Sequence, residues 1–227
     1  MLFPAALHIT RELHDPVTQK TTPVEEYCQG NRVVSISGTR TAIADYGRGE
    51  LTEIDFAAGT YSITKFEQIA RAYEQNAPVA MQKARNEWRV ESTGDGVVAE
   101  KTDRGARRVI RVSADRELTL NRGAMEALLG IGYPYRTSDD AEMLLGALRS
   151  HERKIATNAT EVEEYHLPRE QVVRQDVGGE TLETRNVVLR IGHELPPLDA
   201  LAIPPGAQLV ESKIVATRRL LEELDRP

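Results

Sequence analysis

The sequence is poor in cysteine and has no long apolar run, and these two absences exclude several classes of protein. Cys28 is the only cysteine among the 227 residues, so the chain can form neither an intramolecular disulfide nor a thiolate metal site. No apolar run approaches the roughly 20 residues that a transmembrane helix needs. We therefore expect a soluble, non-transmembrane chain that folds around an apolar core.

The chain also lacks an excess of basic residues. Its 29 lysines and arginines are outnumbered by 35 acidic residues, and the net charge is -6. This balance gives no electrostatic reason to expect a nucleic-acid partner. Basic residues do cluster locally, and we interpret that cluster as a solvated strand and turn interleaved with acids. Its members are Arg104, Arg107, Arg108 and Arg111.

The usual sequence signs of catalysis are missing. No serine lies in a Gly-x-Ser-x-Gly motif, which marks one large group of hydrolases. Gly47-Arg48-Gly49 leads from one predicted strand to another, so it indicates a hairpin turn rather than a phosphate-binding loop. Cys28 lies in mid-strand beside Tyr27, where a small buried role is usual. We predict no enzyme and no cofactor.

The histidines offer candidate ligands but no converging set. His8 and His14 would lie about 20 Å apart along one strand face, so they cannot share a metal ion. His193 and Glu194 end a predicted strand and could join a site, yet no companion is visible near them. A histidine within hydrogen-bond distance of a carboxylate in a cleft would be the sign of an enzyme. The other histidines are His151 and His166.

The pattern of acidic residues near position 50 predicts a solvent-exposed face of the sheet. Paired acids can bind calcium or transfer protons, but alternation with apolar residues is typical of a half-solvated strand. We therefore predict no metal site here. The acids are Asp45, Glu50, Glu53 and Asp55, and they alternate with Leu51 and Ile54.

Short alternating segments dominate residues 1–66. Their two-residue period, with glycines between them, predicts a meander of antiparallel hairpins. The start of the chain is apolar but short and lacks a basic leading region, so we do not expect a secretory signal there. It is either the remainder of a removed leader or a first strand. The predicted strands are Ala6–His14, Val24–Gln29, Arg32–Ser37, Thr41–Asp45, Leu51–Phe56 and Thr60–Thr64.

A helical period follows the meander. Thr64 and Glu67 have the spacing of a capping box, and we predict one helix over 65–87 that Pro78 interrupts. The apolar stripe of this helix either fills the concave side of the sheet or leaves a groove for an acyl chain or a partner segment. The candidate groove residues are Phe66, Ile69, Tyr73, Met81 and Trp88.

After residue 87 the predicted elements are again strands, then helices, then strands. Gly178-Gly179 suits a two-residue hairpin turn, and the proline pairs at 196–197 and 204–205 predict a rigid loop. The predicted strands are Val97–Lys101, Arg107–Ser113, Glu117–Asn121, Glu161–Leu167, Glu170–Val177, Glu180–Ile191 and Leu209–Val215. The predicted helices are Gly123–Gly130, Asp139–Ser150 and Ala216–Leu224.

These patterns predict an α+β fold in one domain over residues 1–227. A sheet of this many strands cannot stay flat, because strands twist. We therefore expect a long curved antiparallel sheet with helices on its concave face.

The opening meander resembles the outer-membrane lipoprotein carrier (LolA-like) superfamily. The resemblance lies in Tyr-x-x-Gly-Asn-Arg, Ala-Ile-Ala-Asp-Tyr and Gly-Thr-Tyr-Ser-Ile between residues 24 and 66. It implies an unclosed β-barrel that holds lipid or acyl chains, in the periplasm or cell envelope if a leader was removed. Two departures from the family's pattern are that we expect no signal peptide in these residues and that the chain is longer than is typical of such carriers. The matching positions are Asn31, Arg32, Asp45, Asp55 and Tyr61.

Two functions follow from these patterns. The first is a non-enzymatic, carrier-like module whose apolar groove binds lipid or lipoprotein acyl chains. The second is a protein-interaction or scaffold subunit with a filled core and no small ligand. The acidic surface and the proline-bounded loop from Glu194 to Gly206 favour the second.

Overall fold

The first strand of the chain lies inside a twelve-stranded sheet, between the second strand and the eleventh. The computed structural model describes residues 1–69, 71, 88–103, 106–129, 138–155, 164–212 and 216. The strand order is β12-β6-β5-β4-β3-β2-β1-β11-β10-β9-β8-β7. Neighbouring strands are antiparallel, except that β12 runs parallel to β6. The result is a long, curved, unclosed sheet in an α+β protein, as predicted.

The strands and helices have the following bounds. The first six strands are β1 Phe3–Asp15, β2 Lys20–Gly30, β3 Arg32–Ser37, β4 Arg40–Asp45, β5 Glu50–Asp55 and β6 Thr60–Lys65. The others are β7 Arg89–Ser92, β8 Gly96–Asp103, β9 Ala106–Asn121, β10 Glu164–Val177, β11 Glu180–Gly192 and β12 Gln208–Leu209. The helices whose two ends both lie in the described residues are α1 Arg122–Leu129, α2 Ser138–Ile155 and a short 3-10 helix, Leu198–Leu201.

Aspartates close three hairpins of the first meander. Asp15, Asp45 and Asp55 each end a strand, and the Oδ1 atom of each accepts a backbone amide of the following turn at 2.8 to 3.0 Å. Such a side chain satisfies a turn amide that the sheet cannot reach. Each turn then ends on a residue with positive φ, and glycine holds that position in two of them, Gly49 and Gly59.

The glycine pair between β10 and β11 behaves as predicted. Gly178 and Gly179 have φ angles of 61° and 88°, which a two-residue turn of the mirror-image type requires. The strands on either side pair directly from Val177 and Glu180 onward.

One face of the sheet, which we call the helix face, carries two apolar cores. The first core contains Leu7, Ile9 and Leu51 of the sheet together with Leu128 of α1. The second contains Ile110 and Tyr165 of the sheet, and α1 and α2 supply Met125 and Leu148. Because α1 contributes to both cores, it ties the two halves of the sheet together. Full burial of one such side chain stabilises the fold by about 1.5 to 3 kcal/mol.

Several predicted boundaries are wrong. The charged residues 114–116 and the Pro168 region were expected to be turns, but β9 and β10 run through them as continuous strands. Their mutual pairing overrides the local turn preference, and register shifts around Pro168 absorb the irregularity, as expected for a proline at a bulge. The strand β7 was not predicted, and β12 has two residues where Leu209–Val215 was expected.

The helices differ in detail as well. The helix after β6 begins one residue later than the predicted capping box: Gln68 Oε1 accepts the amide of Lys65 at 3.0 Å. Residues 66–69 are helical, and most of the predicted span 65–87 lies outside the described residues. So does the predicted terminal helix beyond Ala216. Among the helices that the structure describes, none is long and apolar enough to cross a membrane.

Two glycines that differ in their surroundings test the packing of the second half of the sheet and its helices. A Cβ atom on Gly96 of β8 would lie 1.9 Å from the Val112 carbonyl oxygen, whereas one on Gly146 of α2 would meet nothing within 4 Å. We expect Gly96→Ala to lower the free energy of unfolding by about 2 kcal/mol, because backbone must move. Gly146→Ala should raise it by up to about 1 kcal/mol. Urea unfolding measures both, and equal effects would contradict the described β8–β9 contact.

Candidate functional site

The described members of the predicted groove contact the protein's own core. Phe66 packs edge-on against Tyr46, with ring centroids 5.4 Å apart, and Ile69 is fully buried in the first core. Trp88 packs against the second core, and Lys101 Nζ lies 4.6 Å from the centre of its ring. Tyr73 and Met81 lie outside the described residues.

A buried ion pair also lies on the helix face. Arg11 Nε donates to Glu26 Oε2 at 2.5 Å, and the two side chains are 12% and 4% exposed. Arg11 and Glu26 share a face with Ile9 and Cys28 by the β1–β2 register. Cys28 is buried at 2% exposure, as the sequence predicted, and burial and Glu26 raise the pKa of its thiol.

The opposite, outer face of the first six strands carries a different feature, the segment that follows β11 and includes β12. This segment, residues 193–210, leaves β11 beside β1 and reaches the far edge at β6, and we call it the strap. Its 3-10 helix lies against β4. Val34 and Ile54 face outward by the strand register, yet they are 3% and 2% exposed. The strap, through its 3-10 helix, contributes to the cover of this face.

The strap is tied down at both ends. At its start, His193 Nδ1 donates to the carbonyl oxygen of Ala6 at 2.8 Å. At its end, the amides of Gln208 and Val210 donate to the carbonyls of Gly59 and Tyr61 at 2.9 and 2.8 Å.

Between these ends the strap presents apolar side chains to solvent. Leu198 and Leu209 are 84% and 66% exposed. The other large apolar side chains with substantial exposure on the strap are Leu195, Ile203 and Val210.

A nearly buried histidine fastens the start of the strap to the sheet. The Nδ1 atom of His8 lies 3.0 Å from Glu194 Oε2, and its Nε2 atom contacts Glu25. The ring stacks on Tyr27 with centroids 4.2 Å apart. Glu194 also pairs with Arg190. The imidazole thus links a carboxylate of β2 with a carboxylate of the strap.

This cluster supplies the partners of Glu194 that the sequence did not reveal, whereas His193 binds the carbonyl oxygen of Ala6. Thr10 Oγ1 donates to Glu25 Oε2 at 3.0 Å, so the same carboxylate oxygen contacts both His8 and Thr10. Burial and Glu25 raise the pKa of the Tyr27 hydroxyl. The only sequence signal was the adjacency of a histidine and a glutamate at a strand end.

Two further histidines are held by side chains around α2. The His166 Nδ1 atom lies 2.9 Å from both carboxylate oxygens of Glu152, and the His151 Nδ1 atom lies 2.8 Å from Ser92 Oγ. His151 and Glu152 are buried, so these contacts satisfy polar groups that the helix face would otherwise leave unpaired. In the part of the chain that the structure describes, no three ligand-type side chains converge as a metal site.

The expectation of a solvated face is wrong for Asp45 and Glu50, which are 8% and 7% exposed. Glu50 pairs with Arg48 and Lys65 at 2.9 and 2.8 Å. Burial acts to raise the pKa of Asp45, but the bond from Arg32 and the turn amides outweigh it, so the pKa is lowered. Both acids flank the β4–β5 turn and have basic partners there, which alternation alone does not reveal.

Three positions of the predicted resemblance meet at a cleft of about 620 Å³ beside the β2–β3 and β4–β5 turns. They are Asn31, Arg32 and Asp45. Arg32 Nε donates to Asp45 Oδ2 at 2.7 Å, so the guanidinium already has a carboxylate partner. Asp55 pairs with Arg40 at 3.0 Å, and Tyr61 binds the strap through its carbonyl.

The histidine contact predicts that the start of the strap loosens when His8 is replaced. A glutamine side chain at position 8 cannot contact Glu25 and Glu194 with the geometry of the imidazole. A hydrogen bond to a charged group contributes about 1.5 to 3 kcal/mol to stability. We expect the amides of residues 193–195 to exchange hydrogen roughly tenfold faster, while those of Gln208 and Val210 keep their rate. His14→Gln, on the same strand face, is the control. Unchanged exchange in His8→Gln would show that the contact does not hold the strap.

Comparisons with known proteins leave the family open. Neither a protein-family profile nor a curated protein matches the chain. Two solved structures of PNGF-II, in the C2 and P21 space groups, are similar over 96% of this chain, with TM-scores of 0.40 and 0.39 and identities of 8% and 6%. The chain spans 33% and 34% of the length of those proteins. A likeness at this level carries no argument about function.

Proposed function

We propose that the protein is a non-enzymatic interaction module that binds a protein partner through the strap. The observation that carries this proposal is the contrast between the two faces of the sheet. On the helix face, Ile9, Leu51 and Leu148 are at most 1% exposed. On the outer face, the strap leaves Leu195, Leu198 and other large apolar side chains in water.

The shape of the strap supports binding. Hydrogen bonds anchor its two ends, and two proline pairs restrict the backbone between them. A segment that is already ordered loses less conformational entropy when it binds. Exposed apolar side chains that are grouped on such a segment are typical of protein-interaction surfaces.

The charge of the strap indicates the kind of partner. Residues 193–210 contain Glu194 and Asp199 and no lysine or arginine. Interfaces place apolar groups at the centre and polar groups of complementary charge at the rim. The partner that fits is therefore a protein with an apolar pocket edged by basic side chains.

Replacing the most exposed strap leucine tests the proposal. Leu198→Asp should leave stability within about 0.5 kcal/mol of wild type, because the side chain is exposed, and should weaken partner binding at least about tenfold. The partner is first captured from cells by crosslinking and identified, and its affinity for the purified protein is then measured by calorimetry. Val17→Asp, an exposed apolar position on the β1–β2 turn at 76% exposure, is the matched control.

A partner bound equally by wild type, Leu198→Asp and Val17→Asp would refute the strap as the site. A strictly monomeric protein from which no partner is recovered would refute the interaction function itself. Circular dichroism and thermal unfolding establish that both variants fold.

The carrier function implied by the LolA-like resemblance remains the competing prediction. The curved, unclosed sheet with helices on one face supports it. The burial of Ile69 in the first core and the Arg11–Glu26 ion pair on the helix face support the interaction function instead, since an acyl chain would have to displace that packing. For the interaction function we expect protein purified without detergent to be ligand-free by native mass spectrometry and to take up no fluorescent fatty acid. Saturable uptake would favour the carrier.

A further inference from the structure

The outer face of the second half of the sheet is separate from the strap. The strap leaves β11 towards β6 and so crosses away from β10, β9 and β8. Helices α1 and α2 pack on the opposite face, against Val97, Ile110 and Val112. Alternation therefore directs Val98, Val109 and Arg111 outward.

A depression of about 130 Å³ lies on this outer face. Its centre is apolar, formed by Val109 and Val172, and guanidinium groups surround it. It is lined by Arg107, Val109, Arg111, Val172, Arg174 and Glu183. Alternation along β9 places the arginines of the basic cluster on both faces of the sheet. Arg107 and Arg111 face outward, and Arg108 faces the helices. Arg104 lies outside the described residues.

Most arginines of this face already have a carboxylate partner. Arg107 pairs with Glu100 at 2.6 Å, and Arg174 pairs with Asp176 at 3.5 Å. Arg185, on the neighbouring strand, pairs with Glu170.

Arg111 differs from these three. Within the described residues, its side chain has no ion pair and no hydrogen bond. Its cross-strand neighbours on the same face are apolar: Val98 on β8 and Val172 on β10. Glu183 lies opposite Arg174 on β11, two strands away. Arg111 is thus an exposed guanidinium beside an apolar floor.

We propose that this depression binds a glutamate or aspartate side chain on an extended segment of a protein partner, with Arg111 as its ligand. A guanidinium binds a carboxylate through two parallel hydrogen bonds, and the valines offer contact to the methylene groups of that side chain. A volume of about 130 Å³ accommodates one side chain, whereas sites for whole small ligands are usually about 300 to 1,000 Å³.

Fluorescein-labelled peptides test the proposal by anisotropy. The test peptide is Val-Glu-Val-Glu-Val, whose two glutamates share one face when the peptide is extended. The neutral control peptide is Val-Gln-Val-Gln-Val. The glutamate peptide should bind wild-type protein, and Arg111→Gln should weaken that binding roughly tenfold. The glutamine peptide should bind weakly to both. Arg111→Lys should fall between wild type and Arg111→Gln, since lysine keeps the charge but not the planar fork, and added salt should weaken binding.

Arg40→Gln is the matched control, because it removes the same charge from an exposed strand arginine that already has a partner. No saturable binding of the glutamate peptide, or equal affinity in wild type and Arg111→Gln, would overturn the proposal. Light scattering measures whether the wild-type protein is a dimer. If Arg111→Gln abolished such a dimer, the depression would bind a second copy of the chain, and the proposal would be overturned. The strap variant Leu198→Asp should bind the peptide as wild type does, which separates this site from the strap.

Discussion

Pairing between β1 and β11 joins the two halves of the sheet. Residues from His8 to His14 lie opposite residues from Gly192 to Arg185, which brings the start of the chain beside a segment near its end. The entropy cost of closing so long a loop grows only slowly with its length. Once β1 has β2 on one side and β11 on the other, helix α1 can contact both cores, because they lie on one continuous face.

The same pairing determines where the strap begins. Gly192 lies opposite His8, so the next residues of the chain emerge beside that imidazole, and Glu194 reaches it. The far end of the strap pairs with β6, five strands beyond β1. The strap therefore crosses the outer face on which Val34 and Ile54 are buried, and it still exposes Leu198. Its covering role and its exposed apolar groups are consequences of one route across the sheet.

The local elements were largely predictable and their boundaries were not. The hairpins from β2 to β6 follow from two-residue alternation and from turn residues such as Gly49 and Gly59. The continuous strand β9 was predicted as two pieces, because its charged middle looks like a turn when pairing with β10 is ignored. The groove inferred from the apolar helical stripe stays a prediction: Phe66 and Ile69 lie in a packed core, and Tyr73 and Met81 fall outside the described residues.

The sequence by itself determined the elements of local origin. These are the alternating strands, the Gly178-Gly179 turn and the proline-bounded stretch of the strap, since each depends on the backbone preferences of a few adjacent residues. Only the tertiary structure decided that Glu194 meets His8, that Asp45 is buried and that Arg111 faces outward beside two valines. An alternating strand can pair with many others, and long-range packing selects both the partner and the register.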